Sequence, residues 1–415
     1  MAGSRIQASY WLETGADPRR AAEVIAGEQS SGTFIALAAE TPELKARHGA
    51  RVERLEVLDT SPTPSLPGGR ASSVYTRCLL TLSWPIENLG PSLPNLVATV
   101  AGNLFELNEV SGLRILDLQL PDEFATAYPG PAFGIEGTRR LAGVAQGPLI
   151  GTIVKPSVGL DPAQTAAQVR QLIDGGIDFI KDDELQADGP HCPFDERVRA
   201  VMREVDDGAQ RHGRKVMVAF NLTGELDQMK RRHDRVAALG GTCVMASLNA
   251  IGLVGLAELR RHAALPIHAH RCGWGALTRS PALGWDFAPW HKLWRLAGAD
   301  HLHVNGLDNK FSESNESVIA AARAVLAPLF PHAAMPAMPV FSSGQTGRQA
   351  APTFAAIGST DLIHAAGGGI LGHPGGIAAG VAAMRQAWEA AVAGVPLAEH
   401  AQGRPELRAA LDTWR

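Results

Sequence analysis

From about residue 148 onward, short runs rich in Val, Ile, Leu and Ala alternate with longer stretches of helical period, and the alternation repeats eight times. The runs are 149–155, 177–181, 215–221, 242–248, 265–270, 301–304, 338–342 and 361–366. Parallel strands need a crossover to reach one another, and a helix is the usual crossover. Eight such units closing on themselves make a (β/α)8 TIM barrel, whose chemistry sits at the carboxyl ends of its strands. Local punctuation agrees: Asp161-Pro162 is an N-cap followed by proline at the first helical position, and Gly175-Gly176 stops that helix. The last run leads through 367–376 into an Ala-rich helix over 377–393.

At 415 residues the chain exceeds what one core normally serves, so a second domain is expected. Residues 1–130 read as an α+β domain of ferredoxin-like type: strands at 8–13, 33–37, 51–58, 75–84 and 113–118, helices at 18–27 and 93–107, and a Pro/Ser/Gly-rich loop at 60–69. The stretch 127–133 reads as a linker, with the barrel and carboxyl-terminal helices filling 131–415. A net charge of −4 offers no broad basic surface for nucleic acid, so any anion is bound locally. Cys78, Cys192, Cys243 and Cys272 lack C-x-x-C spacing, which points to plain thiols in a reducing compartment. With no signal-peptide pattern and no apolar run of about 18 residues, the chain reads as cytoplasmic and without a membrane partner.

The second barrel run ends in Lys181-Asp182-Asp183-Glu184. Hard oxygen donors packed this closely at a strand end suit Mg²⁺. A solvated charge run at a helix start is the plainer reading of that motif taken alone. His268, His270 and Arg271 close the fifth run, and His301 and His303 the sixth. Histidines in such places are more often packed and hydrogen-bonded than catalytic. Arg271 is the stronger candidate, since a guanidinium fork suits phosphate and is costly to bury unpaired. The glycines of Ser343-Gly344 and Gly367-Gly368-Gly369 let backbone N–H groups approach an anion closely, at the loops where TIM barrels habitually hold phosphate.

Gly151-Thr-Ile-Val-Lys-Pro156, Gly176-Ile-Asp-Phe-Ile-Lys-Asp-Asp-Glu184 and Gly367-Gly-Gly-Ile-Leu-Gly-His-Pro374 fall at runs one, two and eight. In that order they resemble the large chain of RuBisCO, and the resemblance covers nearly the whole chain. It implies that CO₂ converts Lys181 to a carbamate, so that Lys181, Asp183 and Glu184 hold Mg²⁺. It makes Lys155 the group that moves a proton to or from an enediolate, His270 a catalytic-site histidine, and Arg271 and His303 holders of a distal phosphate. It places Lys310, in the loop after run six, over the substrate carboxylate. Ser343, Gly344, Gly367 and Gly368 become phosphate contacts. Glu28, Thr33 and Asn103 become substrate contacts supplied by a neighbouring subunit, which implies a homodimer with active sites at the subunit interface.

Two departures qualify the likeness: Ser157 stands where carboxylating members have a second lysine, and Gln345 replaces a glycine. They resemble the form IV, RuBisCO-like branch. Arg271 and Lys310, which the compared methionine-salvage enolases lack, favour a substrate with both phosphate and carboxylate. The expectation is decarboxylation of a phosphorylated 3-oxo sugar acid such as 3-oxo-isoapionate 4-phosphate. Enolisation or isomerisation of a methylthio-ketose phosphate, ribulose-bisphosphate carboxylation, and a non-catalytic binding role are the alternatives.

Overall fold

The computed structural model describes residues 4–33, 35 and 37–414. Its strands, in chain order, are β1 (Arg5–Thr14), β2 (Arg51–Ser61), β3 (Tyr75–Pro85), β4 (Gly112–Gln119), β5 (Leu149–Ile153), β6 (Phe179–Lys181), β7 (Met217–Asn221), β8 (Cys243–Ser247), β9 (Ile267–His270), β10 (Leu283–Trp285), β11 (His301–His303), β12 (Met338–Phe341) and β13 (Ile363–Ala365). They form two sheets, one in each of two compact units.

The first unit comprises Met1–Pro129 with Gly273–Leu296. Its mixed sheet runs β10-β4-β1-β3-β2. β1 alternates buried and half-buried side chains, with Ile6, Ala8, Tyr10 and Leu12 fully buried, the period of a strand with one face on a core. Against this sheet lie Ala21, Ala22 and Ile25 of the helix Pro18–Glu28, which Asp17 caps by accepting from the Arg20 N–H. The expected division at 130/131 leaves 273–296 with the barrel. In the structure that segment packs with the first unit, because Leu283–Trp285 pairs in parallel with β4 and Arg114 binds Asp286 at 2.5 Å.

Other local expectations differ too. The helix expected over 93–107 ends at Val100 and is followed by a separate 3-10 turn, Leu104–Glu106. Residues 33, 35 and 37 are not strand, while Phe34 and Ala36 of that expected strand lie outside the described residues. A helix at Pro42–His48 was not foreseen; Thr41 caps it, yet it buries none of its side chains and so has no apolar stripe to read.

The second unit, Gly130–Cys272 with Ala297–Arg415, is a closed parallel barrel in the order β11-β12-β13-β5-β6-β7-β8-β9. The strands are shorter than the apolar runs that announce them. Leu149, Phe179, Met217, Cys243, Met245, Met338, Val340 and Ile363 fill the interior with no exposure. The first crossover helix, Pro162–Asp174, begins as expected: Asp161 and Gln164 form a capping box with Pro162 at the first turn, and Gly176 leaves the helix at φ +81°. Among the described residues, no helix is long and apolar enough to cross a membrane.

Candidate active site

Inward positions of a barrel strand recur every second residue. Phe179 therefore shares its face with Lys181, which is fully buried at the carboxyl end of β6. Its Nζ donates to the Asp182 carbonyl at 2.7 Å and lies 3.6 Å from Glu184 Oε2. Burial lowers the lysine's pKa, against the pull of Glu184, Asp183 and Asp182. Asp183, also buried, accepts from Lys155 Nζ at 2.5 Å, and Lys155 reaches Ser157 Oγ at 2.8 Å. His270 Nε2 stands 3.5 Å from Glu184 Oε2, and burial holds its pKa well below the usual imidazole value. The end of β5, the end of β6 and the end of β9 thus deliver one amine, two carboxylates, a second amine and an imidazole to one place.

Asp182 turns the other way. Its Oδ2 accepts from Arg197 Nη2 at 3.1 Å and from the Asn221 N–H at 2.9 Å, and Arg197 is itself fully buried. The third carboxylate of the run therefore belongs to the wall, and Asn221 Nδ2 ties it to the Asp183 and Glu184 carbonyls, both at 3.2 Å.

A second group of residues gathers beyond β9, β11 and β12. Arg271 Nη2 meets Glu313 Oε2 at 2.5 Å, Asn305 Nδ2 donates to the same oxygen at 2.6 Å, and Ser343 Oγ donates to Asn305 Oδ1 at 2.9 Å. Ser343 holds φ at +74°, a left-handed conformation unusual outside glycine. His303 Nδ1 meets Ser342 Oγ at 3.0 Å. The Lys310 N–H donates to the Ser343 carbonyl at 3.3 Å, and Lys310 Nζ lies 5.2 Å from the centre of the Phe311 ring. Gln345, 1% exposed, donates to the Leu307 carbonyl at 3.0 Å and packs on Gly306, where an added Cβ would fall 2.0 Å from Gln345 Cδ. The residue that departs from the family pattern is thus a latch under the Lys310 loop.

Gly367 and Gly368 open a four-residue helical turn, Gly368–Leu371. Neither φ nor packing demands glycine there, since a Cβ on Gly368 would meet nothing within 4 Å. At Gly369 it would fall 2.3 Å from the Gln345 carbonyl, so that glycine serves packing. In the first unit Glu28 ends the helix Pro18–Glu28, the next residue, Gln29, lies against Gly102 beside Asn103, and Thr33 Oγ1 is bonded to Glu40 and to the Ile35 carbonyl.

Asn305, Glu313 and Ser342 carry no motif and were not among the residues singled out from sequence. The sole hints were the polar density of 305–315 and the serine beside Ser343. A different cluster, His233, Asp234 and His262, has metal-like spacing. The Ala264 N–H donates to His233 Nε2 at 3.0 Å, so the ring proton sits on Nδ1, 3.0 Å from Asp234 Oδ1. No lone pair remains on that ring for an ion, and the cluster is a closed hydrogen-bond triad.

Residues 134–414 match the ribulose bisphosphate carboxylase large chain, catalytic domain, and residues 4–124 match its N-terminal domain. The chain belongs to the RuBisCO large-chain family. Within that family it is 71% identical, over 99% of each chain, to a 3-oxo-isoapionate-4-phosphate transcarboxylase/hydrolase from Xanthobacter autotrophicus. A 3-oxo-isoapionate-4-phosphate decarboxylase from Rhizobium etli is 44% identical over 98% of each chain. The solved structure of a rubisco-like protein from Burkholderia fungorum superposes with a TM-score of 0.92 at 47% identity, covering 98% of this chain and 99% of that one. The fold expected from sequence, a TIM barrel with a separate α+β sheet domain, is the fold found.

Proposed function

We propose that this RuBisCO-like chain acts on 3-oxo-isoapionate 4-phosphate, breaking the bond from its carboxylate to the carbon beside the oxo group, joining the carboxyl carbon to another carbon of the resulting enediolate, and letting water cleave the C–C bond beside the oxo group of the new 3-oxo acid. The observation that carries this is the 71% identity to a transcarboxylase/hydrolase of that substrate, over essentially the whole of both chains. The site is compatible with the chemistry. In a 3-oxo acid the electron pair of the C–carboxylate bond can flow into the oxo group, giving CO₂ and an enediolate.

The donor set fits Mg²⁺. Burial favours the uncharged Lys181 amine, the form that adds to CO₂. The resulting carbamate would join Asp183 and Glu184 as a third oxygen donor, the hard set Mg²⁺ prefers. Bound there, the ion supplies positive charge against which an enediolate is stabilised. Lys155, on Asp183, is placed to give or take the enediolate proton, and His270 offers a neutral imidazole beside Glu184. Arg271, with His303, Ser343, Gly344, Gly367 and Gly368 around the same mouth, is assigned to the phosphate end, and Lys310 to the carboxylate. Glu28, Thr33 and Asn103 are assigned to a partner subunit's site, as a homodimer requires.

The fate of the enediolate separates two readings. Protonation on carbon makes the enzyme a decarboxylase, as the Rhizobium relative is named. Recapture of CO₂ by the other carbon of the enediolate, with a new C–C bond to the carboxyl group, makes it a transcarboxylase, as the Xanthobacter relative is named. Incubation with Mg²⁺, bicarbonate and 3-oxo-isoapionate 4-phosphate should consume the substrate. Failure to do so, together with turnover of a methylthioribulose phosphate or of ribulose bisphosphate, would displace this reading, and binding of the substrate without turnover, unchanged in Lys181→Ala, would support a non-catalytic role.

A further inference from the structure

β9 and β11 each carry a His-x-His pair, and the strands are in register with His301 opposite His268. The result is two layers of inward imidazoles, and the lower layer has no part in the reaction outlined above. His301 Nε2 lies 2.8 Å from Thr138 Oγ1, His301 Nδ1 3.3 Å from His268 Nδ1, His268 Nε2 2.8 Å from His303 Nε2, and His303 Nδ1 3.0 Å from Ser342 Oγ. All three rings are buried, and desolvation holds each of them neutral, with one N–H and one bare nitrogen apiece.

The direction of these bonds follows from the far end. The Thr138 hydroxyl donates to the Gly134 carbonyl, one turn back in the helix Gly134–Ala142. Its oxygen can then only accept from His301, which must carry its proton on Nε2. His301 Nδ1 is bare and accepts from His268 Nδ1–H. His268 Nε2 is bare and accepts from His303 Nε2–H. His303 Nδ1 is therefore bare and takes the Ser342 proton. The near end agrees, because the Glu313 carboxylate accepts from Asn305 Nδ2, which turns Asn305 Oδ1 toward the Ser343 hydroxyl. Ser343 has no proton left for Ser342, 3.4 Å away.

We propose that Thr138, His301 and His268 are positioning residues of a one-way hydrogen-bond chain that fixes the Nε2–H tautomer of His303 and leaves the Ser342 oxygen able only to accept at the mouth, while Asn305 separately does the same for Ser343. An anion that draws the Ser342 proton either leaves the buried His303 Nδ1 without a donor or forces every link back to Thr138 to invert. This last consequence rests on the reading of the mouth as a phosphate site, whereas the tautomers do not. Arg271 and backbone N–H groups are then the anion's first donors, and His303 and Ser343 shape the phosphate end without donating to it, because their protons are held by His268 and Asn305.

The test is a ¹⁵N NMR spectrum of the full chain labelled at histidine, without ligand, assigned through single His→Gln variants. The expected pattern is Nε2–H at His301, Nδ1–H at His268 and Nε2–H at His303. A proton on His303 Nδ1, or a mixture there, overturns the proposal. Thr138→Val should convert His303 to a mixture of tautomers while Thr138→Ser keeps the original spectrum; an unchanged Thr138→Val spectrum would also overturn it. Where Thr138→Val fails to fold, the spectrum of the unaltered chain decides. Inorganic phosphate should bind Thr138→Val more tightly, by up to about fivefold for one hydrogen bond no longer opposing inversion. A purely structural role for Thr138 would leave binding unchanged or weaker. If the mouth takes no phosphate at all, the ligand-free tautomers still stand, so the two readings fail separately.

Discussion

Replacing Arg197 with methionine tests whether Asp182 is a wall residue. In the structure Arg197 has no exposure, donates to Asp182 Oδ2 at 3.1 Å, to the Ala187 carbonyl at 2.7 Å and to the Cys192 carbonyl at 3.0 Å, and lies 5.4 Å from the centre of the Phe194 ring. The methionine fills much of the volume but strands a 3%-exposed carboxylate with the Asn221 N–H as its remaining donor in this network. Breaking one partner out of a buried ion pair costs about 3–5 kcal/mol, because the surviving charge stays desolvated. For a domain of this size that corresponds to a fall in Tm of about 6–20 °C. Urea unfolding and calorimetry read it directly. The double variant Arg197→Met with Asp182→Asn should be less destabilised than Arg197→Met alone, since no charge is left behind. A loss under about 1 kcal/mol for the single variant, or a double variant worse than the single one, would refute the reasoning. Activity should fall with it, because Asn221 hangs on Asp182 and holds the carbonyls of Asp183 and Glu184.

Three further outcomes are expected. With ¹³C-labelled bicarbonate and Mg²⁺, the intact chain should give a carbamate signal that Lys181→Ala lacks; a signal retained in that variant would move the carbamate elsewhere. Gly306→Ala drives a Cβ to 2.0 Å from Gln345 Cδ, so kcat should drop and Gln345→Ala in the same chain should restore much of it, whereas an additive further loss would deny the latch. Buried His291, His301 and His364 have pKa values lowered to about 3, while the unfolded chain protonates them near 6.5. Their stabilisation is therefore complete above pH 6.5 and is lost as pH falls toward 3, by up to about 1.4 kcal/mol per pH unit for each ring. His364→Gln should flatten urea-derived stability against pH by one such share, with an unchanged slope counting against this cause.

The barrel was legible because eight buried parallel strands are apolar on both faces and leave continuous runs, each punctuated by an N-cap, a proline or a glycine. Lys155, Lys181, Asp183 and Glu184 were legible because they stand at or just beyond strand ends within motifs that resemble those of the RuBisCO large chain; strand alternation by itself accounts for Lys181 alone, since the other three follow the last strand residue. Residues 273–296 were not, since a three-residue strand such as β10 is defined by its pairing with β4, 170 residues away in sequence. The Arg271–Glu313–Asn305–Ser343 network was equally hidden. It depends on a loop whose Asn305 and Asp308 take φ of +65° and +49°, and no periodicity encodes such a path. Gln345 shows both sides: its departure from the family pattern was visible, but its use as a latch against Gly306 was not. The two His-x-His pairs were visible as well, and only the register of β9 with β11 turns them into a chain.

The central claim is tested most directly by following the carboxyl carbon of 3-oxo-isoapionate 4-phosphate. With ¹³C in that position, Mg²⁺ and bicarbonate present, and Lys181→Ala as control, the account predicts that the intact chain moves the label into an organic acid product and that the variant leaves the substrate unchanged. Quantitative release of the label as CO₂ would establish the decarboxylase reading in its place. Label remaining in unconsumed substrate with the intact, carbamylated chain would contradict the account.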